Sequence, residues 1–271
     1  MLSAGTVPQR GGIRACSIHA KGDCLDPVIA RITEGEPYRH AIGFEANEVG
    51  RSSKDLLYNT GVRTGYYPLQ EWNWSRADCQ RFLVETLGEP FAKSACGFCP
   101  FAMSSESGRA HQIERYRQEP ELGAEALFLE YVARSLNPEQ TLIEGSSAAE
   151  LVSAAELRDV QDQFDTLLEE SAWALYEVRR LTRPGRAGKR GLTARSLRVT
   201  ATGTRTEMAG QLAEKPGQRV HGDDGIVRHV LRDRRQHGVD HLFVAAPAGP
   251  EEKQRPGFEQ WWQEAVGDSL F

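Results

Sequence analysis

The pattern of apolar and polar positions divides the chain near residue 170. Before that point, apolar residues recur mainly at helical spacing between loops, and after it apolar and β-branched runs typical of strands appear. The sequence therefore predicts two domains, residues 1–170 and residues 171–271. The order of elements in the second domain is typical of a compact α+β module.

The first part predicts helices over residues 26–32, 76–87, 124–135 and 148–169, and a buried strand over residues 40–45. Asp26 and Pro27 are typical of the N-cap and the first position of a helix. Ser75-Arg-Ala-Asp78 is a variant of the capping box, and Gly88 marks the end of the helix that it opens.

The second part predicts strands over residues 173–182, 193–202 and 241–246, and helices over residues 206–213, 225–237 and 257–265. The basic stretch Pro184–Gly191 predicts a mobile loop between the first two strands. Such a loop can contact phosphates, but it lacks the interleaved aromatic residues that favour nucleic-acid binding over a solvated surface.

Composition and charge exclude several classes of protein. The 271 residues are 39% hydrophobic and 26% charged, as in an ordinary globular protein. No apolar run approaches the length of a membrane span, and the N-terminal segment lacks the apolar region of a secretory signal. We therefore expect a cytoplasmic protein. A net charge of -5 gives no support for general nucleic-acid binding.

The strongest chemical signal is Cys96-Gly-Phe-Cys99-Pro100. Two thiols separated by two residues can chelate one metal atom, and the proline after them stiffens the loop. Taken alone, this motif is compatible with half of a zinc site, a redox pair or part of an iron–sulfur cluster.

Three other cysteines precede the loop, all within the first 80 residues. Cys79 lies on the apolar face of the predicted helix over residues 76–87, where an ordinary buried cysteine is the simplest interpretation. Zinc ribbons usually pair two closely spaced motifs, whereas Cys16 and Cys79 are single residues. The pattern of one, one and two cysteines favours an iron–sulfur cluster over zinc. It leaves Cys24 as a structural or free thiol, with the exchange of Cys24 for Cys16 as the alternative ligand set.

Three segments carry a resemblance to a known family: Cys16-Ser-Ile-His-Ala-Lys21, Tyr67-Pro-Leu-Gln-Glu-Trp-Asn-Trp-Ser-Arg-Ala-Asp-Cys79 and Lys93-Ser-Ala-Cys-Gly-Phe-Cys-Pro-Phe101. Together they resemble the phosphoadenosine phosphosulfate reductase-like proteins of the PP-loop ATP pyrophosphatase (adenine nucleotide α-hydrolase) superfamily. The branch associated with DNA phosphorothioation is the most similar. The resemblance spans roughly residues 13–145.

This resemblance implies a [4Fe–4S] cluster held by Cys16, Cys79, Cys96 and Cys99, with zinc as the alternative metal. It also implies an α/β fold over the first 170 residues. The stretch from Gly43 to Lys54 resembles a family segment in which an acid and an arginine bind substrate. On that basis Glu48 and Arg51 are candidate substrate-binding residues, although they can equally form a pair on one helical turn. In the same family setting Lys21, close to Cys16, is a third candidate that would face a phosphate or sulfate, although it can equally be a solvated surface charge.

The chain departs from the family pattern in one respect. The superfamily binds the ATP pyrophosphate with an S-G-G-x-[DS]-S loop between a strand and a helix, and this sequence contains no such loop. We expect either that a partner or upstream sequence supplies the nucleotide-binding half, or that the chain no longer activates a substrate with ATP.

Two functional hypotheses follow from these observations. The first is an iron–sulfur protein of sulfur transfer or sulfonucleotide chemistry. It would be an enzyme only if a partner or upstream sequence supplied the nucleotide-binding loop. A cysteine desulfurase or nucleic acid would be a further partner. The second is a non-catalytic module that associates with nucleic acid and carries a structural zinc or iron–sulfur site.

Overall fold

The computed structural model describes residues 1–9, 18–89, 91, 95–183 and 191–267. Its contacts divide the chain into two compact units, one formed by Met1–Ile13 with Cys96–Phe271 and the other by Arg14–Ala95. The chain is mixed helix and sheet, as predicted. The contacts draw the boundaries at residues 13–14 and 95–96, whereas the change in composition lies near residue 170.

The smaller unit is a two-stranded sheet with short helices. Its elements are a π-helical turn Ile18–Gly22, α1 Asp23–Thr33, β1 Tyr38–Ala41, α2 Val49–Asp55, a 3-10 turn Leu56–Tyr58, β2 Arg63–Tyr66, α3 Pro68–Glu71 and α4 Arg76–Leu87. The two strands are parallel, with His40 opposite Gly65. Parallel pairing requires a crossover connection, which α2 and the 3-10 turn provide.

The predictions for the smaller unit hold best at α4. Ser75 accepts the Asp78 N–H, the Asp78 carboxylate accepts the Ser75 N–H, and Gly88 ends the helix at φ 83°, so the capping-box prediction is confirmed. The first helix begins at Asp23 rather than after Asp26, because it continues from the preceding π-helical turn. The predicted buried strand over residues 40–45 is instead the half-exposed strand β1, two residues earlier.

The larger unit is a six-stranded antiparallel sheet covered by helices. Its elements are a 3-10 turn Ala102–Ser104, α5 Glu106–Gln118, α6 Pro120–Leu136, α7 Ala148–Ala154, α8 Arg158–Glu170, β3 Trp173–Arg183, β4 Leu192–Gly203, α9 Arg205–Ala213, β5 Gln218–His221, β6 Val227–Arg232, α10 Arg234–His237, β7 Val239–Pro247, β8 Lys253–Gln254 and α11 Phe258–Gly267. The strand order is β5-β6-β7-β3-β4-β8.

One hydrophobic core joins the helices of this unit to the sheet. Tyr131 on α6 packs edge-on against Phe164 on α8 and against Trp173 on β3, with ring centroids 5.9 and 6.3 Å apart. Met208 and Leu212 on α9 are buried in the same cluster. The helices between residues 96 and 170 therefore belong with the sheet, although their composition resembles that of the preceding segment.

Two predictions for the larger unit are wrong. The predicted helix over residues 225–237 is strand β6 followed by the short helix α10, because β6 pairs with β7 and places Val230 opposite Leu242. The predicted helix over residues 148–169 is broken into α7 and α8 at Glu156, whose φ of 51° no helix tolerates. The remaining predicted strands and helices of this unit are present, and residues 184–190 of the basic loop lie outside the described residues.

Within the described ranges, no helix is long and apolar enough to cross a membrane.

Candidate metal centre at the cysteine loop

The CxxC segment forms a tight turn at the start of the larger unit's second chain segment. The Cys99 N–H donates to the Cys96 carbonyl across 3.1 Å, which closes the turn. The Cys99 carbonyl then accepts the N–H groups of Ala102 and Met103, at 3.0 and 3.2 Å. The loop thus passes directly into the 3-10 turn before α5, and Pro100 is buried at the junction.

Two buried side chains of α5 hold this turn in place. The Gly97 carbonyl accepts a hydrogen bond from Gln112 Nε2 at 3.1 Å and a short one from the Tyr116 hydroxyl. Both side chains are fully buried. Burial raises the pKa of Tyr116 far above its usual value, so the phenol stays protonated and remains a donor. The middle of the CxxC loop is therefore fixed from inside the protein.

The two residues between the cysteines point their bulk toward the protein. Gly97 is buried beside Leu122, and a Cβ on it would meet the Leu122 carbonyl oxygen at 3.4 Å, an ordinary packing distance. Phe98 packs against the hydrophobic core. Cys96 is exposed and Cys99 partly exposed, and neither is in a disulfide. The turn thus presents two free thiols, the ligand type that zinc and iron–sulfur clusters share.

The other predicted ligands lie elsewhere in the chain. Cys79 is a free, partly exposed cysteine on α4 of the smaller unit, and Cys16 lies outside the described residues. Cys24, which the sequence leaves out of the metal site, is exposed on α1 and also free. Among the residues that the structure describes, no group of three or more His, Cys, Asp or Glu side chains is arranged to hold a metal ion. The four-cysteine centre stays a prediction.

The structure brings together two of the three predicted substrate residues. Arg51 donates to the Glu48 carboxylate at 2.5 Å, and its guanidinium lies 4.6 Å from the centre of the Phe44 ring. Partial burial acts to raise the pKa of Glu48, but the hydrogen bonds from Arg51 and from the Glu45 amide hold it below its usual value. Glu48 and Arg51 therefore form a charged pair at the start of α2.

Lys21 does not join this pair. It is exposed in the π-helical turn Ile18–Gly22 and forms no hydrogen bond or ion pair with another residue in the described ranges. Its role in substrate binding stays a prediction, as do the roles of Glu48 and Arg51.

The smaller unit contains a polar network that the sequence did not predict. Arg63 Nη2 contacts both carboxylate oxygens of Asp55, at 3.0 and 2.9 Å, and Tyr67 donates to the same carboxylate at 2.9 Å. Arg63 Nε donates to His40 Nδ1 at 3.3 Å. These residues are up to 27 positions apart and share no motif, so only the parallel pairing of β1 and β2 reveals the network.

No family model, no curated protein and no solved structure matches this chain. The resemblance to the reductase-like family therefore rests on the motif residues alone.

Proposed function

We propose that this chain is an iron–sulfur protein of the phosphoadenosine phosphosulfate reductase-like type, in which Cys16, Cys79, Cys96 and Cys99 hold a [4Fe–4S] cluster. The observation that carries the proposal is the CxxC turn, which presents two free thiols on a backbone anchored by Gln112 and Tyr116. Fixed ligands lower the entropy cost of binding a cluster. The donor set consists of thiolates only, which suits this group.

The finer fold belongs to the same proposal. We infer a partial adenine nucleotide α-hydrolase-like domain around the parallel pair β1 and β2, with the larger unit's sheet as an additional module. The cluster would supply electrons or sulfur for sulfur transfer or for the reduction of a sulfonucleotide. Glu48 and Arg51 would bind the substrate, with Arg51 contacting its phosphate or sulfate and Lys21 adding a second positive charge. ATP chemistry would depend on a phosphate-binding loop supplied by another segment or partner, and a cysteine desulfurase or nucleic acid would be a further partner.

Metal content and colour test the proposal directly. We expect protein purified without oxygen to be brown, to contain about four iron and four sulfide ions per chain, and to absorb broadly near about 400 nm. Single Cys→Ser substitutions at the four ligands should each lower the iron content, because a serine hydroxyl is a poorer ligand for iron than a thiolate.

Cys24→Ser is the matched control, since Cys24 is an exposed free thiol outside the proposed set and its loss should leave the iron content unchanged. A colourless protein with one zinc per chain would contradict the cluster. That result would instead support the second hypothesis, a non-catalytic module with a structural zinc site that associates with nucleic acid.

A further inference from the structure

A second site lies in the larger unit, on the face of the sheet that α9 covers. It is a cavity of about 240 Å³ between α9, β6 and β7. Its walls are largely apolar and include Leu212, Ile226 and Ala245. A cavity of about 150 Å³ accommodates one benzene ring, so this one has room for a single ring with substituents.

Two aromatic side chains form part of the cavity wall, and the Arg205 guanidinium lies 5.2 Å from the centre of one of their rings, that of Trp173. Trp173 and Tyr131 both line it, with their rings at 70° to each other. The Trp173 indole N–H is already used, because it donates to the Leu168 carbonyl at 2.9 Å. The Tyr131 hydroxyl, in contrast, makes no hydrogen bond to any residue that the structure describes, and it remains available to a ligand.

A buried histidine supplies an unused polar atom. His229 is 6% exposed and lines the cavity. Its Nδ1 lies 2.8 Å from the Lys215 carbonyl oxygen, which can only accept, so Nδ1 carries the proton and Nε2 of the neutral ring is an acceptor. Nε2 has no partner in the described part of the chain. A ligand that donates a hydrogen bond would give this acceptor a partner.

An arginine next to this histidine supplies positive charge. Arg219 on β5 stands directly opposite His229 on β6 and also lines the cavity. It forms no ion pair within the described ranges. The second arginine of the cavity, Arg205, is already paired with Glu169 at 2.7 Å. Arg219 is therefore the group that can bind an anion. Because His229 is next to Arg219, a ligand that uses both residues must carry a hydrogen-bond donor next to its anionic group.

We propose that this cavity binds a small monocyclic aromatic carboxylate that carries a hydrogen-bond donor next to the carboxylate. The ring lies against Trp173 and Tyr131, the carboxylate contacts Arg219, and the donor contacts His229 Nε2. This cavity shares no residue with the cysteine loop. A negative result for ligand binding in the cavity would therefore leave the proposed metal centre untouched, and the reverse also holds.

Calorimetric titration of the full chain with four probes tests the inference. We expect 2-aminobenzoate to bind more tightly than benzoate, and benzoate more tightly than aniline or inorganic phosphate. Arg219→Gln should weaken 2-aminobenzoate about tenfold or more, because a hydrogen bond to a charged group is lost. His229→Asn keeps a donor for the Lys215 carbonyl but removes the Nε2 acceptor, so it should abolish the preference for 2-aminobenzoate over benzoate.

The matched control is Arg198→Gln, an exposed arginine on β4 that does not line the cavity, and it should leave binding unchanged. The comparison of probes on the unmodified protein needs no variant, so a variant that misfolds does not obscure the result. Absence of saturable 2-aminobenzoate binding at about 10 mM would overturn the inference. Equal binding of phosphate, or unchanged binding in Arg219→Gln, would overturn it as well.

Discussion

Among single residues, His241 on β7 links stability to pH. Its Nε2 lies 2.8 Å from the Glu177 carboxylate, but burial outweighs this favourable contact and, with Arg179 and Arg232 nearby, lowers the pKa of His241 below 6.5. The folded state therefore favours the neutral ring. The stability that this preference contributes is present above pH 6.5 and is lost as the pH falls through the lowered pKa.

As the pH falls from about 7 to 5, we predict that the unfolding free energy decreases less in His241→Gln than in the unmodified protein. Chemical unfolding across this range measures the slope. His221→Gln is the control, because His221 is exposed on β5 and its replacement should leave the slope as in the unmodified protein. An identical slope in both variants would show that other groups determine the pH dependence.

The residues that anchor the cysteine loop show where prediction from sequence fails. The CxxC motif was evident from its spacing, but Gln112 and Tyr116 were not. They lie on α5, which is rich in charged and polar residues and has little apolar periodicity. The available signal was Ser105, which caps α5 by accepting the Gly108 N–H at 3.1 Å. Their contact with Gly97 depends on tertiary packing that no local pattern encodes.

At the scale of whole elements, local signals succeeded where they were chemically specific. The capping box of α4 and the apolar and β-branched residues of β3 and β4 predicted elements that are present within one or two residues. The prediction failed at β6, whose sequence also fits a helix and whose strand conformation depends on pairing with β7. Element type thus follows from the sequence at α4, where the cap is specific, whereas the two valines of β6 do not distinguish a strand from a helix and only the pairing with β7 does.

The crossing of α6 and α8 gives a prediction at this scale. Gly123 on α6 allows a close approach, because a Cβ there would lie 2.8 Å from Val160 Cγ1 and 3.1 Å from the Tyr116 ring. We expect Gly123→Ala to cost about 1–3 kcal/mol of unfolding free energy through overpacking. Since Tyr116 also holds the CxxC turn, the thiols of Cys96 and Cys99 should react faster with a thiol reagent.

Gly210→Ala on α9 is the matched control, since a Cβ there meets no other atom within 4 Å. It replaces a helical glycine by a better helix former, so we expect a gain of about 0.5–1 kcal/mol. Denaturant unfolding compares the two variants. A stable Gly123→Ala protein with unchanged thiol reactivity would contradict the close packing at this crossing.

For the molecule as a whole, the sequence located the change in composition but not the division into units. Residues 96–170 resemble the preceding segment in composition, yet Tyr131 and Phe164 share a core with the sheet. Long-range contacts such as Tyr131 with Trp173 decide this, and a single sequence carries no signal for them. Prediction of the metal centre is limited in the same way, because only Cys96 and Cys99 are close together in the sequence.

Within the larger unit, a buried arginine ties the helical layer to the sheet. Arg228 on β6 is 4% exposed and pairs with Asp224 at 2.7 Å. It also donates to the carbonyls of Arg134 and Ser135, at 2.7 and 3.3 Å, which belong to the last turn of α6. Carbonyls at a helix end lack hydrogen-bond partners within the helix. The Arg228 side chain therefore both pairs with a buried carboxylate and supplies donors to the end of α6.

We predict that Arg228→Ala lowers the unfolding free energy by about 3 kcal/mol, because it leaves the buried Asp224 carboxylate with only the Ile226 N–H at 3.0 Å and the more distant Arg134 guanidinium at 3.8 Å. Arg117→Ala, which breaks an exposed pair with Glu114 on α5, should cost less than about 1 kcal/mol. Because the helices and the sheet of this unit share one core, hydrogen exchange at the amides of α6 and of β7 should report the same reduced opening free energy in Arg228→Ala. Different opening free energies for α6 and β7 would mean that the helical layer and the sheet of this unit unfold independently once Arg228 no longer joins them.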